Sequence, residues 1–176
     1  MKEKLLEVKG LYKIVDLKRF RETEGVRFDI MPSELLEDVV GVDRVIHDSN
    51  AVSPGTINGV ERPWYMHRHQ GDNLLVLHGQ RHIDLYSVEH GKVEKFVVTN
   101  NEIYKNGELL VQGPAMLVWP PYVFHRIESK EEGSASLNFA YRDPDFNVDD
   151  NFSIYDVDIE RGEFKVIREG RKDQFK

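Results

Sequence analysis

The stretch Trp64-Tyr-Met-His67-Arg-His69-Gln-Gly-Asp-Asn-Leu-Leu-Val-Leu-His-Gly79 decides the fold. His67 and His69 are two residues apart, and successive side chains of a strand point to opposite faces. If this segment is a strand, both imidazoles project from the same face and form a ligand pair. Gln70-Gly71-Asp72 then predicts a turn, and Asn73–Leu77 predicts the next strand.

Outward from this stretch, short alternating segments are separated by turn residues about every 8–12 positions. The predicted strands are Trp64–His69, Asn73–Leu77, Arg81–Tyr86, Val93–Val98, Glu102–Lys105, Glu108–Val111, Ala115–Trp119, Phe124–Glu128, Ala135–Tyr141, Phe152–Val157 and Glu163–Ile167. This pattern predicts an all-β fold. A jelly-roll barrel is favoured over an immunoglobulin-like sandwich, because the sandwich does not account for where the histidines fall.

The segment before the strands is less regular. Asp16–Arg21 predicts a short helix with Asp16 as its cap, and Ser33–Glu37 predicts another short helical turn. The length of 176 residues suits one domain, and no internal boundary, repeat or low-complexity tract interrupts it. We therefore expect a single domain over residues 1–176, with a core barrel at about 40–141 and flanking N- and C-terminal strands.

Composition excludes several functional classes. Lysine and arginine total 24 against 31 acidic residues, and the net charge of −7 removes any general attraction to phosphate backbones or anionic lipid. The chain has no cysteine, which excludes disulfides and thiol nucleophiles. No segment has the apolar run of a signal peptide or the roughly 20 apolar residues of a membrane-spanning helix. These features predict a cytoplasmic protein that binds neither nucleic acid nor membrane.

Two segments resemble the two motifs of the cupin superfamily. The first is His67-Arg-His69-Gln-Gly-Asp-Asn73 followed by Gly79, and the second runs from Gly113 to Pro120 and is followed by His125. The resemblance implies a double-stranded β-helix barrel around one divalent transition metal, either Fe, Zn, Mn or Ni. The implied metal ligands are His67, His69, Asn73 and His125.

The two motifs depart from the usual cupin pattern at three positions. Asn73 occupies the usual glutamate position, Tyr122 stands where a glycine is usual, and Ser129 replaces a final asparagine. Loss of the carboxylate removes one negative charge, which leaves a three-histidine face with Asn73 as a neutral or absent fourth ligand. Asp72 could supply a carboxylate instead, although a residue in a turn is more often simply solvated.

Further pocket residues are predicted from neighbouring strands. Tyr65 shares the strand parity of His67, and Tyr65 or His82 could shuttle protons. Arg81 could hold a carboxylate or phosphate of a substrate by a bidentate pair. Trp119 and Tyr141 are aromatic candidates for the substrate-binding wall.

Three functional hypotheses follow. The first is a metal-dependent enzyme, an oxygenase or isomerase, that acts on a small organic substrate at a three-histidine site. The second resembles the metal-free deoxysugar epimerases and ketoisomerases of the same fold, in which histidines and tyrosines carry out acid–base chemistry on a nucleotide-linked sugar. The third is a sensor or storage module that binds a ligand without turning it over. Fold alone does not choose among them.

Oligomeric state is a separate expectation. The strand-rich N- and C-terminal flanks leave sheet edges that must be paired or covered. Cupins commonly solve this by exchanging terminal strands, so a homodimer is predicted.

Overall fold

A computed structural model describes residues 6–175. The strands are β1 (Glu7–Val8), β2 (Tyr12–Asp16), β3 (Lys18–Thr23), β4 (Val26–Ile30), β5 (Gly41–His47), β6 (Val52–Ser53), β7 (Trp64–Met66), β8 (Gln70–Tyr86), β9 (Glu94–Val98), β10 (Glu102–Lys105), β11 (Glu108–Gln112), β12 (Ala115–Trp119), β13 (Phe124–Arg142), β14 (Ile154–Asp158) and β15 (Glu163–Arg168). Helical structure is limited to α1 (Val148–Asn151) and 3-10 turns at Ser33–Leu35 and Gly170–Asp173. No helix in this described part is long and apolar enough to cross a membrane.

Two long strands, β8 and β13, run through both layers of the barrel and pair along most of their length. The first half of β8 and the second half of β13 belong to one sheet, in the order β1-β2-β12-β8-β13-β5. Their other halves belong to the second sheet, in the order β11-β10-β9-β8-β13-β7-β14-β15. All these pairings are antiparallel, and the predicted all-β jelly-roll barrel is confirmed.

Two glycines let β8 and β13 bend from one sheet into the other. Gly79 and Gly133 both have φ of +67°, a conformation that other residues rarely adopt. A Cβ on Gly79 would lie 2.1 Å from the Gly133 carbonyl oxygen, so the two backbones touch at the corner. The prediction of separate strands at Asn73–Leu77 and Arg81–Tyr86 is therefore wrong, because Gly79 bends one continuous strand instead of ending it.

The N-terminal region departs from prediction as well. The expected helix at Asp16–Arg21 is wrong, because Asp16 ends β2 and the following residues form the hairpin of β3 and β4. Gly25, with φ of +72°, makes the hairpin turn, and Arg19 Nε donates to Asp29 Oδ1 across the strands at 2.6 Å. Cross-strand pairing thus outweighs the local helical pattern. The helical turn predicted at Ser33–Glu37 is present as the shorter 3-10 turn.

The apolar core lies between the sheets and supports the inner face of the barrel. Its main cluster comprises Leu11, Tyr12, Ile14, Leu74, Val76, Ile83, Leu85, Phe96, Val98, Ile103, Ala115, Leu117, Trp119 and Val123. Leu74 and Trp119 also line the cavity described below, so close core packing holds part of its wall in place.

Glu94, at the start of β9, is a buried carboxylate with several polar partners. Asn106 Nδ2 donates to its Oε2 at 2.6 Å, and its Oε1 lies 2.9 Å from His90 Nε2 and 3.1 Å from Lys92 Nζ. Burial alone would raise the pKa of Glu94, but the hydrogen bonds from Asn106, His90 and Lys92 outweigh it and lower the pKa to about 2. The charged form of Glu94 is therefore favoured by folding.

Glu94→Gln is expected to lower the free energy of unfolding by about 1–3 kcal/mol near neutral pH, because hydrogen bonds to a charged group are lost. A carboxyl whose folded pKa is depressed stabilises the fold above its unfolded pKa of about 4.3, and this stabilisation fades as the pH falls toward about 2. The stability difference between wild type and Glu94→Gln should therefore shrink through that window. Urea unfolding across the pH range measures it, and a difference that stays constant with pH would contradict this role.

Candidate active site

A cavity of about 310 Å³ lies between the two sheets. Buried polar and titratable side chains surround it, although protein interiors usually contain few such groups. Their concentration in a concave site marks a candidate for ligand binding or catalysis. Five of the residues predicted from the sequence line it: Tyr65, His67, Arg81, Trp119 and His125.

The two histidines of the first motif lie in different places. The prediction that they share one strand face is wrong, because β7 ends at Met66 and the next three residues leave the sheet. The His67 carbonyl instead accepts a hydrogen bond from Tyr122 N at 2.8 Å. His67 lines the cavity, whereas His69 Nδ1 lies 3.0 Å from the carboxylate oxygens of Asp143 in a more exposed position. Only His67 of this pair belongs to the candidate site.

The acidic member of the site is Asp72, not the amide predicted beside it. Strand β8 begins at Gln70, so the predicted turn at residues 70–72 is wrong and Asp72 shares the inward parity of Leu74. Asn73 points to the opposite face, where its Nδ2 donates to the Phe139 carbonyl. The structure therefore does not bring Asn73 to the predicted ligand set, and it places a carboxylate there instead.

Asp72 is held by two amides. Its Oδ1 accepts from Gln70 Nε2 at 2.9 Å and from Asn138 Nδ2 at 2.7 Å, while its Oδ2 lies 3.5 Å from His67 Nε2. One ligand atom each from His67, Asp72 and His125 lies within 4.8 Å of the others, and all three residues are buried. We call these three residues the His–Asp–His cluster.

Backbone carbonyls fix the tautomers of both histidines in the cluster. His67 Nδ1 lies 2.7 Å from the Asn151 carbonyl oxygen, and His125 Nδ1 lies 3.2 Å from that of Val123. Because a carbonyl oxygen only accepts, Nδ1 carries a proton on each ring, and Nε2 is the atom through which each ring can accept or release one. The two ring centroids are 4.8 Å apart. Two basic nitrogens therefore meet one carboxylate.

Burial sets the protonation of the groups around His125. Burial, and after it the charge of His67, lowers the pKa of His125 to about 4, which leaves the ring neutral near pH 7. Burial also raises the pKa of Tyr65, which keeps its phenol protonated. The ring centroids of Tyr65 and His125 are 6.0 Å apart. The site thus combines a neutral imidazole with the ring of a protonated tyrosine, whose hydroxyl has Ser53 as its hydrogen-bond partner.

Two polar atoms of the cavity residues lack a protein partner. Trp119 Nε1 and Asn138 Oδ1 are buried and have no hydrogen-bond partner within residues 6–175. Both residues line the cavity, and the Trp119 ring lies 5.3 Å from that of His125. An unpaired buried polar atom costs free energy, so a ligand that reaches either atom would restore a hydrogen bond.

Arg81 forms a separate part of the cavity wall, where it was predicted to face a substrate. Its side chain is fully enclosed, and His47 lines the cavity near it. Burial, and after it the charge of Arg81, lowers the pKa of His47 to about 4. His47 had no partner at metal-ligand spacing in the sequence and was missed.

His82 and Tyr141 lie outside the cavity, so the placements predicted for them are wrong. His82 occupies a groove on the outer face of the second sheet, where its Nε2 lies 3.0 Å from Gln80 Oε1. Tyr141 lies on the outer face of the first sheet, with its ring over Gly71. Along β8 the inward residues near His82 are Arg81 and Ile83, which forces His82 outward.

Other cavity residues had weaker sequence signals. Asp43, Val45 and His47 share one face of β5, so strand parity groups them. Alternating polarity does not place that face inward, because Val42 and Ile46 lie on the exposed face. Phe152, Asp173 and Gln174 reach the cavity because the C-terminal segment folds back over the barrel. No local pattern predicts such a return.

The topology of the two sheets identifies the fold. The chain has the cupin-type double-stranded β-helix fold, as the two motifs implied. No protein-family model and no curated protein matches it. Solved structures do match.

Three of the similar structures are two sugar isomerases and one epimerase. The sugar 3,4-ketoisomerase QdtA from Thermoanaerobacterium thermosaccharolyticum, in complex with TDP, is 16% identical with a TM-score of 0.51, covering 81% of this chain and 85% of that one. A dTDP sugar isomerase from Desulfovibrio desulfuricans G20 is 15% identical with a TM-score of 0.55, covering 78% and 85%. The dTDP-4-dehydrorhamnose 3,5-epimerase from Sulfolobus tokodaii is 17% identical with a TM-score of 0.51, covering 77% and 72%. Similarity at these identities establishes the fold alone.

Proposed function

We propose that the chain is an isomerase that moves a proton from the carbon next to a carbonyl group to the carbonyl carbon itself, in a small polyhydroxylated substrate. The observation that carries the proposal is the His–Asp–His cluster, in which two basic nitrogens and a carboxylate meet inside a cavity. The sugar isomerases and an epimerase among the similar folds support the same class of chemistry. The metal-free isomerase, second among the sequence hypotheses, therefore becomes the main proposal.

Different cavity residues carry out the successive steps of the proton transfer. His125 is neutral and acts as the general base, removing the proton from the carbon next to the carbonyl. The electron pair moves onto the carbonyl oxygen, toward which Trp119 Nε1 or the Tyr65 hydroxyl can donate. The carbonyl oxygen gains a proton and the hydroxyl on the deprotonated carbon loses one, so the C=O bond moves to that carbon. His67, whose Nε2 faces Asp72, can deliver a proton to the former carbonyl carbon. The product is an isomer of the substrate, so no oxidant or other reactant is consumed.

The cavity wall suits a sugar. Trp119, Tyr65 and Phe152 offer aromatic faces to the C–H groups of a sugar ring. Asn138 Oδ1, which has no hydrogen-bond partner among the described residues, can accept from one of its hydroxyls. The volume of about 310 Å³ is at the lower end for ligand pockets and matches a single sugar-sized molecule.

The proposal is tested by incubating the protein in D₂O with free aldoses, ketoses and sugar acids and with a nucleotide-linked keto sugar. Proton NMR follows both isomer formation and loss of the C–H signal next to the carbonyl. We expect one substrate class to isomerise, with deuterium uptake at the former carbonyl carbon of the product. If no compound of the panel isomerises or exchanges, the proposal is wrong.

A divalent metal enzyme is the second candidate, because the donor set fits an ion. Two imidazoles and one carboxylate form a common ligand set for transition metals. The carbonyl contacts of both Nδ1 atoms are the outer contacts that metal-bound histidines usually make. His67, Asp72 and His125 would hold the ion, which would polarise a substrate carbonyl as a Lewis acid. Fe, Zn, Mn and Ni remain the predicted ions.

Metal content separates the two candidates. If an ion is bound, Asp72→Asn is expected to lower its occupancy at least about tenfold, because the carboxylate ligand is lost. His82→Asn should leave the occupancy unchanged, since His82 lies in the groove on the outer face of the second sheet. Elemental analysis of protein purified without a histidine tag, after exposure to each of the four metals, measures this. Retention of no metal by wild type, or full occupancy in Asp72→Asn, would exclude this metal site.

A further inference from the structure

Arg81 is a buried cation that the proposed proton transfer does not use. It is 2% exposed, its Nε donates to Ser134 Oγ at 3.1 Å, and its Nη2 donates to the Val45 carbonyl at 3.1 Å. No carboxylate among residues 6–175 forms an ion pair with it, although buried charges are normally paired. Nη1 and one hydrogen of Nη2 are left over. A guanidinium of this kind in a cavity wall points to a ligand that brings its own negative charge.

Arg81 brings one positive charge to this part of the cavity wall, and its described neighbours add none. His47, the nearby histidine, is neutral near pH 7 because of burial and the charge of Arg81. Its Nδ1 lies 3.1 Å from Ser129 Oγ, which lies 2.7 Å from Ser134 Oγ, so the remaining groups are neutral. A carboxylate carries one charge, whereas a phosphate monoester carries about −1.5 to −2 at neutral pH. Three aspartates in the same cavity wall, Asp43, Asp72 and Asp173, further disfavour the larger charge.

Arg81, where the anion would bind, and the His–Asp–His cluster contact different positions along β13. Ser134 contacts Arg81, and Asn138, four residues further on, contacts Asp72 of the His–Asp–His cluster. Four residues of a strand span roughly 13 Å, and the inward side chains shorten the gap. An open-chain hexuronic acid carries its carboxylate at one end and its carbonyl carbon at the other, in the order that these two groups of residues require. Val45 and Ile127 also line the cavity.

We propose that the cavity binds a free sugar acid, with its carboxylate on Arg81 and its carbonyl end at the His–Asp–His cluster. This inference rests on the proposed function and names its substrate class. It also distinguishes the chain from an enzyme for nucleotide-linked sugars, because the anion is bound inside the barrel and forms part of the sugar itself.

Calorimetric titration tests the subsite with D-glucuronate and D-galacturonate against D-glucose and D-galactose. Wild type is expected to bind the acids about 10–100-fold more tightly, because a charge-assisted pair with Arg81 forms only with them. Arg81→Gln should lose that preference while keeping its affinity for the neutral sugars. Arg126→Gln is the matched control and should keep the preference, since Arg126 Nε already donates to Asp84 Oδ2 at 2.8 Å.

Wild type alone keeps the inference testable if Arg81→Gln does not fold. Equal affinity for acids and neutral sugars, or tighter binding of inorganic phosphate or of a TDP-linked sugar, would overturn it. A preference that survives in folded Arg81→Gln would assign Arg81 to structure only. Acids that bind through Arg81 without isomerising would leave the subsite standing and remove the proposed function. Isomerisation of neutral sugars with no preference for acids would support the proposed function and overturn the sugar-acid subsite.

Discussion

His125→Asn is expected to lower kcat for isomerisation by about 10²–10⁴-fold, the usual contribution of a general base. Asparagine can still donate to the Val123 carbonyl, as His125 Nδ1 does, but it has no basic nitrogen to replace Nε2. The barrel should therefore fold while proton removal fails. The pKa of His125 is lowered to about 4, so wild-type activity should hold near neutral pH and fall as the pH drops through about 4. Steady-state kinetics followed by NMR measures both effects.

His82→Asn is the matched control for this prediction. It changes another histidine in the same way, but His82 lies in the groove on the outer face of the second sheet. Its kcat should stay within about twofold of wild type. A folded His125→Asn variant with wild-type kcat, or an equal loss in His82→Asn, would show that the cavity histidine is not the base.

Gly79→Ala is expected to have the largest effect on stability, lowering the free energy of unfolding by about 3–5 kcal/mol. The added methyl group would meet the Gly133 carbonyl oxygen at 2.1 Å, and φ at this position is +67°. Strained backbone costs about 1–3 kcal/mol, and forced overpacking costs a similar amount. The clash lies at the corner where β8 and β13 pass between the sheets, so relief requires the strands to separate. Urea unfolding gives the value.

Gly107→Ala controls for the backbone term alone. Gly107 has φ of +86°, but a Cβ there would meet nothing within 4 Å. This variant should lose only about 1–2 kcal/mol. If both variants lose the same amount, close contact between the strands at Gly79 and Gly133 does not limit the fold.

The sequence predicted the architecture better than the length of its strands. Alternating polarity and turn residues indicated the barrel, because a sheet with one buried face imposes that period. Gly79 was interpreted as a strand end, since sequence does not distinguish a glycine that ends a strand from one that bends it. The helix at Asp16–Arg21 failed because its partner, β4, supplies pairing that a local pattern does not contain.

The site was predicted in part for a similar reason. His67 was found through its strand parity with His69 and His125 through the cupin motif, and both line the cavity. The choice between Asp72 and Asn73 depended on where β8 begins, because a shift of one residue exchanges the inner and outer faces. His69 was assigned to a strand that ends before it. Arg81 was identified as a cation, but its burial follows only from the packing of both sheets.

The most direct test of the account is solvent deuterium uptake by a sugar acid in the presence of protein stripped of metal with a chelator. Proton NMR in D₂O follows the hydrogen on the carbon next to the carbonyl. The account predicts that stripped wild type exchanges this hydrogen as it forms the isomer, and that His125→Asn does not. Stripped wild type that is inactive, and that recovers only when a divalent metal is added, would contradict it.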